Sequence, residues 1–551
     1  MWFPLCNFTH YSLLRGFSKP AELAKKCAKC EFPACGIADY HSISGSVQFF
    51  KACQKAGIRP IIGCSFEKFK LFAKNKDGWF DLIKIVSSIV DGKVDNHVLR
   101  ERCARGNLIS VGDYEADSPI SGDDFYVKTE LLRSSYYVEK EQAELHRILL
   151  CTSLKTTLPK IKKGNTAVPD GLHKFFEFDD WYVRDNDQVT AMHMLDEENH
   201  NSLQEIFDKC EEYNILSGPI LPNFSTPNGE TEEEFLKELC REGWKRELGG
   251  TSRIEGEGRD LYGKRFEHEF TVIKDADLFG YFLIVWDIIR FCRDNGWLTG
   301  PGRGSAAGCL ISYLLGVTTI DPIEYGLIFE RFYNAGRNTG DHISLPDIDM
   351  DVPASKRDEI IDYIKDTYGH DKVGQVITFG RLQGKSALKE VLRVNEACGF
   401  GEMNEMTKFI PDESLISDQL SSMDDPSIIR WSLLHNKKEL IDYCHINYDG
   451  KLEGVFAPYF QQAIDLEGTF KSHGKHAAGV VISRDCLADV CPMLTDEDGN
   501  VKAALEMGDL GDLGQEKFDV LGLTHLDKVM LMEELVQERH GGVLTPLSNG
   551  K

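Results

Sequence analysis

The sequence has no long apolar run, no excess of basic charge and no regular cysteine spacing, and each absence closes off a class of function. Its longest apolar stretch, Phe279 to Ile289, is broken by Gly280 and Asp287 and falls far short of the ~20 residues a membrane-spanning helix needs. Met1 to Gly16 lacks a basic start followed by an apolar core, so it does not read as a secretory signal. These features predict a cytoplasmic protein with no membrane partner. The 16 cysteines are scattered, which suits reduced thiols packed as small hydrophobes better than a disulfide framework. Cys27, Cys30 and Cys35 include one CxxC, but a zinc site needs a fourth ligand and usually a second pair. A formal net charge of −25 argues against nucleic-acid binding through bulk charge, since phosphate contacts need clustered Lys and Arg. Any such contact has to come from a local concentration of cations.

What is present is the composition of a soluble multidomain protein. The hydrophobic fraction is 42% and the charged fraction 27% over 551 residues, enough for roughly three or four domains of about 100–200 residues each. The first ~220 residues alternate helical patterns with short apolar runs, as in Ala21 to Cys30 then Pro33 to Ile37, and Ser46 to Ala56 then Arg59 to Gly63. That alternation predicts an α/β layer or barrel. A turn-rich stretch from Ser217 to Thr231, holding Pro219, Pro222, Pro227 and Gly229, reads as a linker, with Thr231 and Glu234 forming a capping box at the next helix. Two apolar helices around a Gly-rich loop follow from Phe266 to Leu315. The stretch from Arg381 to Phe470 is helical and polar, and strand-like runs return at Ala477 to Ile482 and Lys517 to Leu521.

The feature with most chemistry is Pro346-Asp347-Ile348-Asp349-Met350-Asp351. On a strand these three carboxylates share one face, which like-charge repulsion disfavours unless cations neutralise it. Two hard divalent ions about 4 Å apart could be held there, activating a hydroxyl and clamping a transferring phosphoryl group. A polar edge strand or acidic turn would look the same. Upstream, Gly300-Pro301-Gly302-Arg303-Gly304-Ser305-Ala306-Ala307-Gly308 leads into the apolar run Cys309 to Leu315. Glycines allow close backbone approach, a helix N-terminus offers unpaired N–H groups to a triphosphate, and Arg303 can fork onto phosphate oxygens. Ser305 alternatively serves as an N-cap.

GPGRGSAAG, then FERF (Phe329 to Phe332), PDIDMD, ITFG (Ile377 to Gly380), HAAGVVIS (His476 to Ser483) and KFDVLGL (Lys517 to Leu523) resemble, in order, the motif series of the polymerase III alpha family of replicative DNA polymerases. The resemblance runs from about Tyr11 to the C-terminus. It implies an α/β multidomain chain: a PHP-type distorted β/α barrel at 1–222, a polymerase-beta-like nucleotidyltransferase palm of mixed sheet and helices at 223–380 and 470–525, a helical thumb inserted at 381–469, and the start of the fingers at 526–551. It further implies that Asp347, Asp349 and Asp519 are the catalytic carboxylates and bind two Mg2+ ions, with Asp351 in support. Arg303, Gly304, Ser305, Arg331 and Lys517 are then expected at the triphosphate or primer end. The connection Asn334 to Leu345, which holds Arg337, is longer than in many members. Arg381, Lys385, Lys389 and Arg393 recur every four residues, so on one helix they form a basic stripe with Leu388, Val391 and Leu392 off it. In the thumb, such a stripe is expected to track a DNA backbone, although a solvated face has the same pattern.

Residues 1 to about 220 resemble the family's PHP domain through TxYSLLxG (Thr9 to Gly16), IADY (Ile37 to Tyr40), KACQKAGIRPIIGCSF (Lys51 to Phe66) and AELHRILLC (Ala143 to Cys151). Where members with a metal centre carry an HxH pair, this chain has Cys6 and Phe8. Tyr40 follows the retained Asp39 in place of His, Ser65 replaces a Glu, and Ser134 and Tyr136 replace an Asp-x-His pair. No metal is expected in this domain, nor nuclease or phosphatase activity; it reads as a scaffold bracing the palm, with His10 and His41 in surface or hydrogen-bonding roles.

Relatives continue beyond KFDVLGL into fingers, a clamp-binding region and an oligonucleotide-binding fold, whereas this sequence ends about thirty residues later in Leu544 to Lys551. The expectation is half of a split DNA-directed DNA polymerase of a bacterial cell, host-encoded or viral, with a second chain supplying fingers and, through it, the sliding clamp and other replisome components. Its substrates would be primer-template DNA and deoxynucleoside triphosphates. A non-catalytic module binding DNA or replisome partners is the alternative.

Overall fold

A computed structural model describes residues 2–113, 118–128, 132–193, 200–334, 346–495 and 499–540. Arg337 and the end segment Leu544 to Lys551 lie outside the described residues. In chain order the elements used below are helix α1 (Pro20–Lys29), strand β1 (Ala34–Tyr40), α2 (Ser46–Ala56), β2 (Arg59–Ser65), β3 (Phe69–Ala73), β4 (Leu108–Gly112), β5 (Phe125–Val127), α3 (Ala143–Ser153), α4 (Glu257–Asp275), α5 (Phe279–Asp294), α6 (Leu310–Leu315), β6 (Asp349–Pro353), α7 (Arg357–Tyr368), β7 (Val373–Arg381), α8 (Gly384–Asn395), α9 (Ala457–Leu466), β8 (Phe470–Ile482), β9 (Met493–Thr495), β10 (Val501–Ala503) and β11 (Lys517–Leu523). The chain forms two compact units, Met1–Ile215 with Thr378–Gly474 and Leu216–Ile377 with Lys475–Lys551. The division falls inside β7 and β8.

In the first unit the expected helix and strand alternation is present. The sheet runs β1-β2-β3-β4-β5, parallel at β1/β2 and β4/β5 and antiparallel between. Beside β1 the sheet is extended by the first residues of the chain, through Gly36 N–H to Pro4 O and Ala38 N–H to Asn7 O, and Asn7 bridges in turn to Ser135. Strand faces are apolar on both sides, as in Cys35, Ile37, Ile61 and Ile62, and α1 and α2 pack against β1 and β2. Cys27, Cys35 and Cys53 are buried thiols in this packing.

The helical stretch after β7 does not build a core of its own. Leu388, Val391 and Leu392 of α8 and Phe460 and Ala463 of α9 pack in one cluster with Ile148, Leu149 and Cys151 of α3. Helix α8 starts at Gly384, behind a Gln383–Ser386 capping box. Arg381 therefore belongs to the end of β7 and not to the helix expected to carry all four basic residues.

The second unit carries a six-stranded mixed sheet, ordered β9-β10-β7-β8-β11-β6. Its central feature is the parallel pair β11/β6, in which Asp519 lies opposite Asp349. Thr231 and Glu234 form the predicted capping box at the helix Glu232–Gly243. Helix α5 is apolar nearly all round because it is buried nearly all round, packing Phe282, Leu283, Ile284 and Ile288 into a core with Ile348, Met350, Val480, Phe518 and Val520. That core is the layer on which the acidic strand rests.

His10 departs from its expected role: it is buried, its ring stacks on Phe470 at 4.1 Å, and its Nδ1 has no hydrogen-bond partner. The reason is the apolar cluster of Tyr11, Phe379 and Phe470 around it. His41 is half-buried, with its backbone N–H on Ser65 O and its ring stacked on Tyr40. Burial, then Lys19 and Arg381, lower the His10 pKa from 6.5 to about 3. Unfolded, the same imidazole binds a proton as pH drops through 6.5, so the contribution to stability is complete above that value and is lost between it and about 3. Replacement His10→Phe is expected to reduce the loss of stability between pH 7 and pH 4.5 by about 2 kcal/mol. Urea unfolding of both proteins at the two pH values checks this, and an unchanged pH dependence would show that another group titrates.

Candidate metal and nucleotide site

The acidic strand begins later than its sequence pattern suggests. β6 starts at Asp349, and Pro346 to Ile348 form an extended approach fixed by Ile348 N–H donating to the Tyr281 hydroxyl at 3.2 Å. Tyr281 is itself stacked on Phe518, the neighbour of Asp519. Asp347, Asp349 and Asp519 thereby converge, each offering a carboxylate oxygen within 4.8 Å of the others. Asp347 is exposed, Asp349 half-buried and Asp519 buried. The fourth carboxylate, Asp351, points toward the Gly-rich loop: Gly300 N–H donates to its carbonyl at 2.9 Å, and a Cβ at Gly300 would lie 2.7 Å from that of Asp351. Glycine is required there by close approach and at Gly302 by a φ of +93° with Thr318 against it.

Two cations balance this charge. Arg303 reaches Asp349 at 2.8 Å and Asp351 at 3.2 Å, and Lys517 reaches Asp519 at 2.8 Å and Asp347 at 3.6 Å. Burial, followed by repulsion from Asp347, Asp519 and Asp351, holds Asp349 above the usual carboxylate range against the pull of Arg303. Burial lowers Lys517, but Asp519 and Asp347 more than offset it and leave the ammonium above its ordinary value. Two positive side chains are insufficient to use every oxygen: Asp519 Oδ1 is buried and has no hydrogen-bond partner. A hard divalent ion fits that orphaned oxygen and the all-carboxylate donor set. Among the described residues this is the group of His, Cys, Asp and Glu side chains placed to hold one.

The Gly-rich loop differs from expectation at its end. Gly304 to Gly308 form one 3-10 turn, and α6 is capped by Cys309, so Ser305 is not its N-cap. The N-terminus of α6 does not face a ligand. Its Leu310 and Ile311 N–H groups donate to the buried carboxylate of Glu269, each at 3.1 Å, and Arg265 donates to the same carboxylate at 2.5 Å. Helix termini need partners when buried, and here a side chain supplies them. Gly304 is exposed and Ser305 half-buried, and Arg331 is exposed on the short turn Phe329–Arg331. Glu269 and Tyr281 were missed by sequence reasoning. The i, i+4 pair Arg265/Glu269 within the buried positions of α4 was the available signal.

The basic residues from the end of β7 onward form a broken row. Arg381 lies over the ring of Phe470, Lys385 is 4.0 Å from Asp412, Lys389 donates to Asn404 and Arg393 pairs with Glu390 and the Thr156 carbonyl. Lys385 and Lys389 flank a recess of about 360 Å³ whose other wall carries Asp412 and Glu413.

In the first unit the substituted positions are filled by packing. Phe8 stacks on Tyr136 at 4.6 Å with a 3° interplanar angle, Cys6 and Ser65 are buried, and Tyr40 lies under the guanidinium of Arg15. Ser134 is buried too and hydrogen-bonds Tyr136. The retained Asp39 accepts from Thr9 N–H, Thr9 Oγ1 and Ser12 Oγ at 2.6–2.7 Å. Its carboxylate ties the 9–12 turn to β1.

The comparisons with known proteins follow these same two regions. The family model of the bacterial DNA polymerase III alpha NTPase domain matches residues 234–522, and the PHP domain model matches residues 7–132. The chain is 31% identical to DNA polymerase III subunit alpha of Borreliella burgdorferi, with 96% of this chain and 49% of the relative covered. It is 29% identical to the Aquifex aeolicus subunit (97% and 52% covered) and 29% to that of Bacillus subtilis (96% and 49%). The chain spans about half the length of the curated relatives it matches.

Replacing Glu269 by Ala strands two helix N–H groups and a guanidinium, and is expected to lower stability by about 3 kcal/mol or more. Gln, which keeps one acceptor oxygen, is expected to lose about half as much. Denaturant unfolding of the two variants checks the order, and equal losses would contradict the cap.

Proposed function

We propose, from the premise that this chain belongs to the bacterial DNA polymerase III alpha family, that it carries the catalytic centre of a DNA-directed DNA polymerase, adding deoxynucleotides to a primer 3′ end. The observation that carries this reading is the convergence of Asp347, Asp349 and Asp519 around a buried oxygen without a partner. Asp347 and Asp349 would hold both magnesium ions, and Asp519 would hold the one that serves the primer hydroxyl. Bound there, the pair supplies Lewis-acid activation of the 3′-hydroxyl and stabilises charge on the transferring phosphoryl group.

The chain's own residues position and balance. Arg303 and Lys517, which neutralise the carboxylates, are the cations beside the site that would balance triphosphate or primer charge. Gly304 and Ser305 orient the triphosphate through the exposed loop, and the exposed Arg331 adds a cation, so rate enhancement comes from positioning and charge stabilisation. Primer-template DNA is the partner assigned to Arg381, Lys385, Lys389 and Arg393. The domain boundaries, 1–222 for PHP, 223–380 and 470–525 for the palm, 381–469 for the thumb and 526–551 for the start of the fingers, belong to the same proposal. In the split form of the reading a second chain brings the fingers and, with them, the sliding clamp; the competing reading is a module that binds DNA or replisome partners without turnover.

Primer extension with magnesium and the four deoxynucleoside triphosphates separates these readings. Extension, by the chain alone or with a fingers-bearing chain of the same genome added, is expected to fall at least about a hundredfold in Asp347→Ala/Asp349→Ala. Extension that survives the double substitution would sink the catalytic assignment. No extension under either condition would favour the module. Independently of turnover, Mn2+ binding followed by electron paramagnetic resonance is expected to weaken about tenfold or more in Asp519→Asn, and unchanged binding would remove Asp519 from the ligand set.

A further inference from the structure

On the second unit, and lined by none of the residues of the carboxylate site or the Gly-rich loop, is a cavity of about 510 Å³. Its walls come from the 222–227 linker, the last turns of α5 and α7, Lys372, and the residues that follow β8. That volume lies within the roughly 300–1,000 Å³ typical of small-molecule sites and is far larger than a lone phosphate fills.

One side of the cavity is built around a buried carboxylate. Asp287 accepts hydrogen bonds from Arg290 at 2.7 Å, the Tyr363 hydroxyl at 2.9 Å and the Tyr368 hydroxyl at 3.0 Å. The guanidinium balances its charge, and the three donors together fix the wall they stand on. Opposite, Ser483 N–H donates to the Lys372 carbonyl at 2.9 Å, so that Lys372 and Arg484 flank a single backbone hydrogen bond. Among the described residues Arg484 pairs with an exposed Asp485 at 3.8 Å, a contact too open to neutralise it. Lys372 has no anionic partner among the described residues. In a chain of net charge −25, two cations lining one cavity whose carboxylate is already paired form a local anion site.

The remaining wall is aromatic. Half-buried Trp286 packs edge-on to Phe235, and Phe235 stacks with Phe224, leaving Phe224 and Trp286 as apolar lining beside the cations. A ligand that satisfies both walls carries an anion of more than one charge on a planar body. We propose that this cavity binds a nucleoside 5′-diphosphate or triphosphate, with its phosphates on Lys372 and Arg484 and its base against Phe224 and Trp286. The site is separate from the one formed by the carboxylates and does not use divalent metal from it.

Calorimetric titration of the whole chain with ADP in the presence of a chelator tests this, with inorganic pyrophosphate as the comparison ligand. Saturable binding at one site is expected, tighter for ADP than for pyrophosphate, and weakened at least about tenfold for both ligands in Lys372→Ala/Arg484→Ala. Trp286→Leu is expected to weaken ADP alone. The variant Arg303→Ala, at the carboxylate site, is expected to bind ADP as the unchanged chain does. Circular dichroism and thermal unfolding establish that each variant is folded, and both cations of the double variant are surface-accessible. Absent ADP binding, equal affinity for ADP and pyrophosphate, undiminished binding by the double variant, or loss in Arg303→Ala would each overturn the proposal.

Discussion

The pairing of Asp519 with Asp349 across two parallel strands is the constraint on which the second unit depends. Strand neighbours of like charge repel, so the pair is tolerated only because the sheet is anchored elsewhere and cations stand close by. The anchor is apolar: Ile348, Met350, Phe518 and Val520 alternate with the acidic positions and point into the core of α5. The cations are Arg303 and Lys517, one from a loop and one from the same strand as Asp519. Alternation thus separates the two tasks: one face of β6 and β11 secures the sheet, and the other gathers charge. The Gly-rich loop is held to the second face by Gly300 on the Asp351 carbonyl, and behind it by Glu269 on the start of α6.

Much of this was legible in the sequence because it rests on short-range pattern. The two helix–strand pairs up to Gly63, the Thr231–Glu234 cap and the alternation of the acidic run follow from periodicity or from local capping chemistry. The family resemblance supplied Asp519, which no local pattern ties to a motif some 170 residues earlier. What escaped was what depends on long-range packing. Arg381 falls at four-residue spacing with the lysines of α8, yet the chain is still extended there, because β7 continues to Arg381. The start of α6 looked like an anion site, but its donors are taken by a side chain 40 residues upstream. The packing of His10 among aromatic rings, in place of a surface or hydrogen-bonding role, escaped because its neighbours Phe379 and Phe470 come from strands far along the chain.

The first unit shows the same dependence on distant sequence at a larger scale. A helical segment that reads as an independent insertion buries Leu388, Val391 and Leu392 against Ile148 and Leu149, so the stability of the α8 and α9 pair is tied to that of α3. Such a shared core behaves as one cooperative block. Residues in the 381–469 stretch and residues near 150 are therefore close enough to couple, and substitutions in the two are not additive.

The stack of Phe8 on Tyr136 has a consequence for how the unit is assembled in the cell. A centre built from histidines and carboxylates couples folding to ion supply, because ligand deprotonation and metal capture are part of the folding free energy. Two parallel rings, a buried thiol and a hydroxyl need no such supply; they are in place as soon as the chain collapses. The packing at these positions therefore rests on apolar contact and shape, which a change in ion supply does not alter.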